Sequence, residues 1–170
     1  MQVALYMLHR ARDSCKIVCY LRTTPQDFIQ SFIREFDDEL RSTFEHVLGL
    51  IVSAEQWEQA YGVKSSGLGL CRASDVADAA YLASRYAAYD DCIALDSEHV
   101  WDDGMGGQGA GVVGGWLGGV INRINNKVPN GSAFPSQVGA PAECVVKQSL
   151  IVGSINTSRQ EAMLGHPILQ

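Results

Sequence analysis

The strongest hydrophobic pattern runs from Phe28 to Leu48. Phe28, Ile29, Phe32, Ile33, Phe36, Leu40, Phe44, Val47 and Leu48 recur at spacings of three and four, which predicts a long amphipathic helix. Thr24 supplies an N-cap, Pro25 the first helical position and Asp27 a first-turn carboxylate that the helix dipole favours, while Gly49 is a natural stop. Asp37-Asp38-Glu39 reads as the solvated face of this helix. Upstream, Val3, Leu5, Tyr6, Leu8, Ala11, Cys15, Val18 and Cys19 keep mostly helical spacing from Val3 to Leu21. Arg22-Thr23-Thr24-Pro25 ends that run, because the residue before a proline is pushed out of the α region. Downstream, Ser53 caps a short helix over Ala54 to Tyr61, with Glu55 and Gln56 in its first turn.

The stretch from Trp57 to Ala83 joins these helices to the rest of the chain. Trp57, Ala60 and Tyr61 lead into Gly67-Leu68-Gly69-Leu70. The two glycines suit backbone that turns sharply or approaches a neighbour where a Cβ would clash, and Leu68 and Leu70 would anchor the element on a core. From Ser74 to about Asp90 a third long helix is predicted, opened by Ser74, Asp75 and Asp78. Val76, Ala79, Ala80, Leu82, Ala83, Tyr86 and Ala87 give it a small-residue face suited to close helix packing. Beyond Asp96 the pattern weakens. Gly104 to Gly119 contains nine glycines, with a weak helix predicted over 112–125 and two short helices over Ala142 to Ile155 and Ser158 to Leu164. The fold class is therefore mainly α: a helical bundle over residues 1–95, a Gly/Pro-rich loop region over 96–141 and a short helical tail over 142–170.

Composition narrows the functional classes. The chain has 170 residues, 46% hydrophobic and 19% charged, which is globular composition with length enough for a real core. Its net charge is -6. Residues 1–86 carry nine Lys/Arg against eleven Asp/Glu and the remainder four against eight, so neither part has the basic excess of a self-sufficient nucleic-acid binder. Five cysteines (Cys15, Cys19, Cys71, Cys92, Cys144) at unrelated spacings, with no signal-peptide pattern, predict reduced, buried thiols in an intracellular protein. No apolar run reaches the length of a membrane span. The chain also starts inside a helical pattern, which suggests a fragment.

Candidate chemistry is sparse. Gly104-Gly106-Gly109 and Gly109-Gly111-Gly114 match G-x-G-x-x-G, but a dinucleotide site needs an apolar strand before the glycines. The residues there are acidic, Asp96 to Asp103, so no cofactor is expected. Tyr89-Asp90-Asp91 invites comparison with paired metal-binding aspartates, yet its flank Tyr81 to Tyr86 is helical. Cys15 and Cys19 lie one turn apart with no further ligand pair, and the four histidines are dispersed, so neither a metal site nor a catalytic set is predicted. For phosphate contact the candidates are Lys16, Arg22, Lys64 and Arg72, with Ser65 and Ser66 beside the glycine element.

Four ordered pieces carry a family resemblance: Gln2-Val3-Ala4-Leu5 with Ser14 to Val18; Leu21-Arg22-Thr23-Thr24-Pro25; Phe36 to Arg41 with Phe44-Glu45; and Trp57-x-Gln59-Ala60 through Gly67-Leu68-Gly69-Leu70-x-Arg72-x-Ser74 to Ala79-Ala80-Tyr81-Leu82. In this order and spacing they resemble the thumb, after the palm, of reverse transcriptases of non-LTR (LINE-type) retroelements. Lys147 to Leu150, with Ile155-Asn156, is faintly similar to a later segment of the same proteins. Where the family usually has Gly-Gly-Leu-Gly-Leu, this chain has Ser66 in place of the first glycine, and the glycine-rich tail has no counterpart. The resemblance implies a helical, non-catalytic thumb segment whose fingers, palm and catalytic aspartates would precede Met1. The implied partner is an RNA–DNA template–primer duplex held together with that palm, with Lys16, Arg22, Lys64 and Arg72 meeting phosphates. Pro25, Trp57, Gly67, Leu68, Gly69 and Leu70 would be structural. No membrane partner is expected, and the oligomeric state is open. A helical protein-interaction module without nucleic-acid binding is the competing expectation.

Overall fold

A computed structural model describes residues 17–58, 70, 72–97, 116–128 and 148–164. Among them every regular element is an α-helix: α1 Ile17–Thr23, α2 Gln26–Leu48, α3 Ala54–Glu58, α4 Ala73–Leu95, α5 Trp116–Lys127 and α6 Gln148–Leu164. The fold is mainly α. None of the described helices is long and apolar enough to cross a membrane.

The chain divides into two compact units, Met1–Ala77 and Asp78–Gln170, and the division falls inside α4. In the first, α1 buries Ile17 and Leu21, one turn apart. It ends where Thr23 Oγ1 donates to the Cys19 carbonyl at 3.0 Å and Pro25 blocks continuation. At the start of α2 the N-cap position falls on Pro25 rather than on Thr24, with no side-chain cap, and Ile29 departs from helical φ/ψ. That irregularity separates Phe28 from the later stripe, whereas Phe32 lies beyond it beside the buried Ile33. Phe28 is 60% and Phe32 44% exposed, so the two are not part of the buried face that the periodicity suggests, and the buried set is Ile33, Asp37, Leu40 and Phe44. Gly49 closes the helix at φ +67°, donating its N–H to the Glu45 carbonyl at 2.9 Å, a left-handed position that suits glycine.

The turn from α2 to α3 is bracketed by side chains. Arg41 Nε donates to Glu45 Oε1 at 3.1 Å and Arg41 Nη2 donates to the Val52 carbonyl, while the Val52 N–H donates to Glu45 Oε1 at 3.0 Å. That backbone N–H, helped by Arg41 and opposed by some desolvation, holds the Glu45 carboxyl below its ordinary range. A capping box opens α3: the Gln56 N–H donates to Ser53 Oγ at 3.2 Å and the Ser53 N–H to Gln56 Oε1 at 2.9 Å. Trp57 then packs on Phe44 with ring centres 6.2 Å apart, in a cluster with Leu40, Val52 and Leu70.

The second unit is an aliphatic core. Ala79, Tyr81 and Leu82 of α4 pack with Val120, Ile121 and Ile124 of α5, Val128 just after it, and Ile151 and Ile155 of α6. Of the small-residue face expected for α4, Ala79, Ala80 and Leu82 are buried, whereas Val76, Ala83 and Tyr86 are half-buried and Ala87 is exposed; burying each large aliphatic of this core is worth about 1.5–3 kcal/mol. Asp78, 3% exposed, receives Arg123 Nε at 3.0 Å and Nη2 at 2.8 Å. Two expectations change here. The weak helix continues to Lys127 rather than ending at 125, and Gln148–Leu164 is one continuous helix where two short ones were expected, with no residue between Ile155 and Ser158 interrupting it; 112–115 and 142–147 lie outside the described residues.

Candidate phosphate-contact site

The sequence candidates fall unevenly. Lys16 and Lys64, with Ser65, Ser66, Gly67, Leu68 and Gly69, lie outside the described residues, as does the run from Gly104 to Gly115. Arg22 is exposed in the last turn of α1. Pro25, Trp57 and Leu70 are buried, the last two at 7% and 3% exposure.

Arg72 is the best-defined of the basic candidates. It immediately precedes α4, with its side chain 11% exposed. Its Nε and Nη2 donate to Asp75 Oδ2 and Oδ1 at 2.9 and 3.1 Å, and its Nη1 and Nη2 donate to Glu58 Oε1 and Oε2 at 2.7 and 3.0 Å. Burial opposes the guanidinium charge, but the hydrogen bonds to Glu58 and Asp75 outweigh it and raise the basicity of Arg72. Arg72 is therefore already committed to two carboxylates, a partnership that its spacing in the sequence does not announce.

Asp37 is the residue that sequence reasoning misplaced. It is 8% exposed rather than part of a solvated face, whereas Asp38 and Glu39 are exposed. Its Oδ1 accepts the Ala73 N–H at 2.6 Å, and its Oδ2 accepts the Ser74 N–H at 3.1 Å and the Ser74 hydroxyl at 2.6 Å. These amides open α4 and have no partner within the helix. Ser74, expected to open the helix itself, donates to a cap contributed by α2. Burial pushes the Asp37 carboxyl above its ordinary range, with Asp75 adding to the push and the Ser74 and Ala73 hydrogen bonds pulling the other way. One signal was available: positions 33, 37, 40 and 44 share a helix face, so Asp37 sits in register with the apolar stripe.

The remaining chemistry is plain. Asp90 and Asp91 are exposed and lie within α4, which continues to Leu95, so they are not on a hairpin. Cys19 is exposed and Cys92 half-buried, against the expectation of buried thiols. Among the described residues no group of three His, Cys, Asp or Glu is placed to hold a metal ion. No protein-family model, no curated protein and no solved structure matches this chain.

Proposed function

We propose that this chain is a non-catalytic helical segment of the kind that follows the palm in LINE-type retroelement reverse transcriptases, and that it makes auxiliary contact with the RNA–DNA template–primer duplex. The observation that supports this reading most is the link between two of its motif stretches. Asp37 of Phe36–Arg41 caps the helix entered by Arg72-x-Ser74, so residues 36 positions apart form one joint. A segment that grips a duplex has to keep its shape under load, and a buried carboxylate with three donors supplies that stiffness. Arg22 is exposed for phosphate contact, and Lys16 and Lys64, outside the described residues, are further basic candidates by sequence. Nucleotide addition would belong to the palm of such a polymerase.

The test is fluorescence anisotropy of a labelled RNA–DNA hybrid titrated with the full chain and with Arg22→Glu. The reading expects binding by the wild type that weakens as salt rises and weakens further on charge reversal. An unchanged affinity in Arg22→Glu counts against Arg22, and no binding at low salt counts against the reading as a whole.

A second reading, a helical protein-interaction module, is favoured by a different observation. Tyr20 is 58%, Leu50 50% and Ile51 88% exposed, large apolar side chains offered to solvent in a chain of net charge -6. Sedimentation showing self-association, together with no hybrid binding, would put this reading first.

A further inference from the structure

Arg72 holds two carboxylates of opposite character. The Asp75 side chain is 7% exposed and lies one turn into the helix that Arg72 introduces. The Glu58 side chain is 62% exposed. Both pairs are bidentate, and the fork that Arg72 turns toward Glu58 is the one a guanidinium offers to two oxygens of a phosphodiester. Glu58 also ends its short helix, where the carbonyl partial charges disfavour a carboxylate. The neighbouring amides do not compete for an anion: Ala73 and Ser74 donate to Asp37, and the Asp75 N–H donates to the Arg72 carbonyl at 3.1 Å. Among the described residues, the capacity of this corner to bind an anion is thus concentrated in the outer half of the Arg72 fork.

Resting on the duplex-contact reading above, we infer that Glu58 is a built-in phosphate mimic: it occupies the outer fork of Arg72 in the free chain and yields it to a backbone phosphodiester of a bound RNA–DNA hybrid. Asp75, buried and bidentate, keeps the guanidinium aimed throughout the exchange. Arg72 is then a masked contact rather than a lost one, and Glu58 sets the threshold for using it.

The experiment is hybrid binding by anisotropy over a series of KCl concentrations, using the full chain as wild type, Glu58→Gln, Glu55→Gln and Glu58→Gln/Arg72→Lys. Glu55 is the control because it is an exposed carboxylate on the same helix whose Oε2 accepts from Ser53 Oγ. Glu58→Gln is expected to tighten binding about two- to five-fold, the worth of releasing one ion pair whose carboxylate is exposed. It should also steepen the slope of log K against log salt by about 0.9, one added phosphate contact. Glu55→Gln should leave the slope unchanged. The double variant should lose the gain, because lysine keeps the charge without the fork. Equal tightening by Glu55→Gln and Glu58→Gln with unchanged slopes, or no response to Glu58→Gln in a chain that binds, overturns the inference alone. No binding by any of the four chains overturns the duplex reading and the inference with it.

Discussion

Each of the two units is held together internally, and by different chemistry. In Met1–Ala77 the distant pieces are joined by discrete polar links: Asp37 to the start of α4, Arg72 to Glu58, and Arg41 with Glu45 to Val52. Its apolar cluster around Phe44 and Trp57 draws on α2, α3 and Leu70. In Asp78–Gln170, fully buried aliphatics from three helices, Leu82, Val120, Ile124, Ile151 and Ile155 among them, form the core among the described residues, with an Arg123–Asp78 ion pair beside them. Apolar contact is non-directional and tolerates adjustment, whereas a carboxylate with three donors has one geometry. The first unit therefore fixes where particular side chains point, and it is also where the candidate phosphate contacts lie.

The contrast can be broken most forcefully in the second unit. Ile124→Ala removes a side chain with no exposure from the aliphatic core and should cost about 2–5 kcal/mol by urea denaturation. Asp37→Ala should cost less, about 1–3 kcal/mol, because the Ala73 and Ser74 donors are left without their acceptor. If Asp37→Ala cost under a few tenths of a kcal/mol, the polar links would be ornamental to the first unit.

Two glycines sharpen the comparison with opposite signs. Gly49→Ala places a Cβ at φ +67° and should destabilise by about 1–2 kcal/mol. Gly153, exposed within α6, has nothing within 4 Å of an added Cβ, so Gly153→Ala should stabilise by about 1 kcal/mol. Melting temperatures of the two variants, moving in opposite directions, are the check.

The smallest effects are in pH dependence, and they also carry opposite signs. Burial raises the folded-state pKa of Asp37 above its ordinary 3.8, so the pH-dependent part of its contribution is complete below that pH and is lost as pH rises through the higher folded value. Hydrogen bonding from Val52 lowers Glu45 below its ordinary 4.5, so its contribution is present above that pH and is lost as pH falls through the lower folded value. Asp37→Asn should therefore lose more stability in acid than at neutrality, and Glu45→Gln more at neutrality than in acid. Thermal melts of both variants across that range would read the two slopes.

Much of the helical frame was legible because it rests on local signals. The stripe from Ile33 to Phe44, the Ser53 box and the left-handed Gly49 each need only neighbours within a turn or two. The small-residue face of α4 was legible in part: Ala79, Ala80 and Leu82 are buried, while Ala87 at its end is exposed. What was not legible came from partners distant in sequence. Asp37 looks solvated beside Asp38 and Glu39, and only the Ala73 and Ser74 donors explain its burial. Arg72 reads as a free cation until Glu58, 14 positions away, is placed against it. The misread start of α2 has a local cause, the break at Ile29, which periodicity averages over.

The most direct measurement is amide hydrogen exchange in the wild type and in Asp37→Asn, which keeps the shape of the side chain with only one good acceptor. The account predicts that at least one of the Ala73 and Ser74 amides loses about ten-fold or more of its protection while Ile121 and Ile124 are unchanged. Unchanged protection at both Ala73 and Ser74, or an equal loss across both units, would contradict a first unit held by discrete polar links.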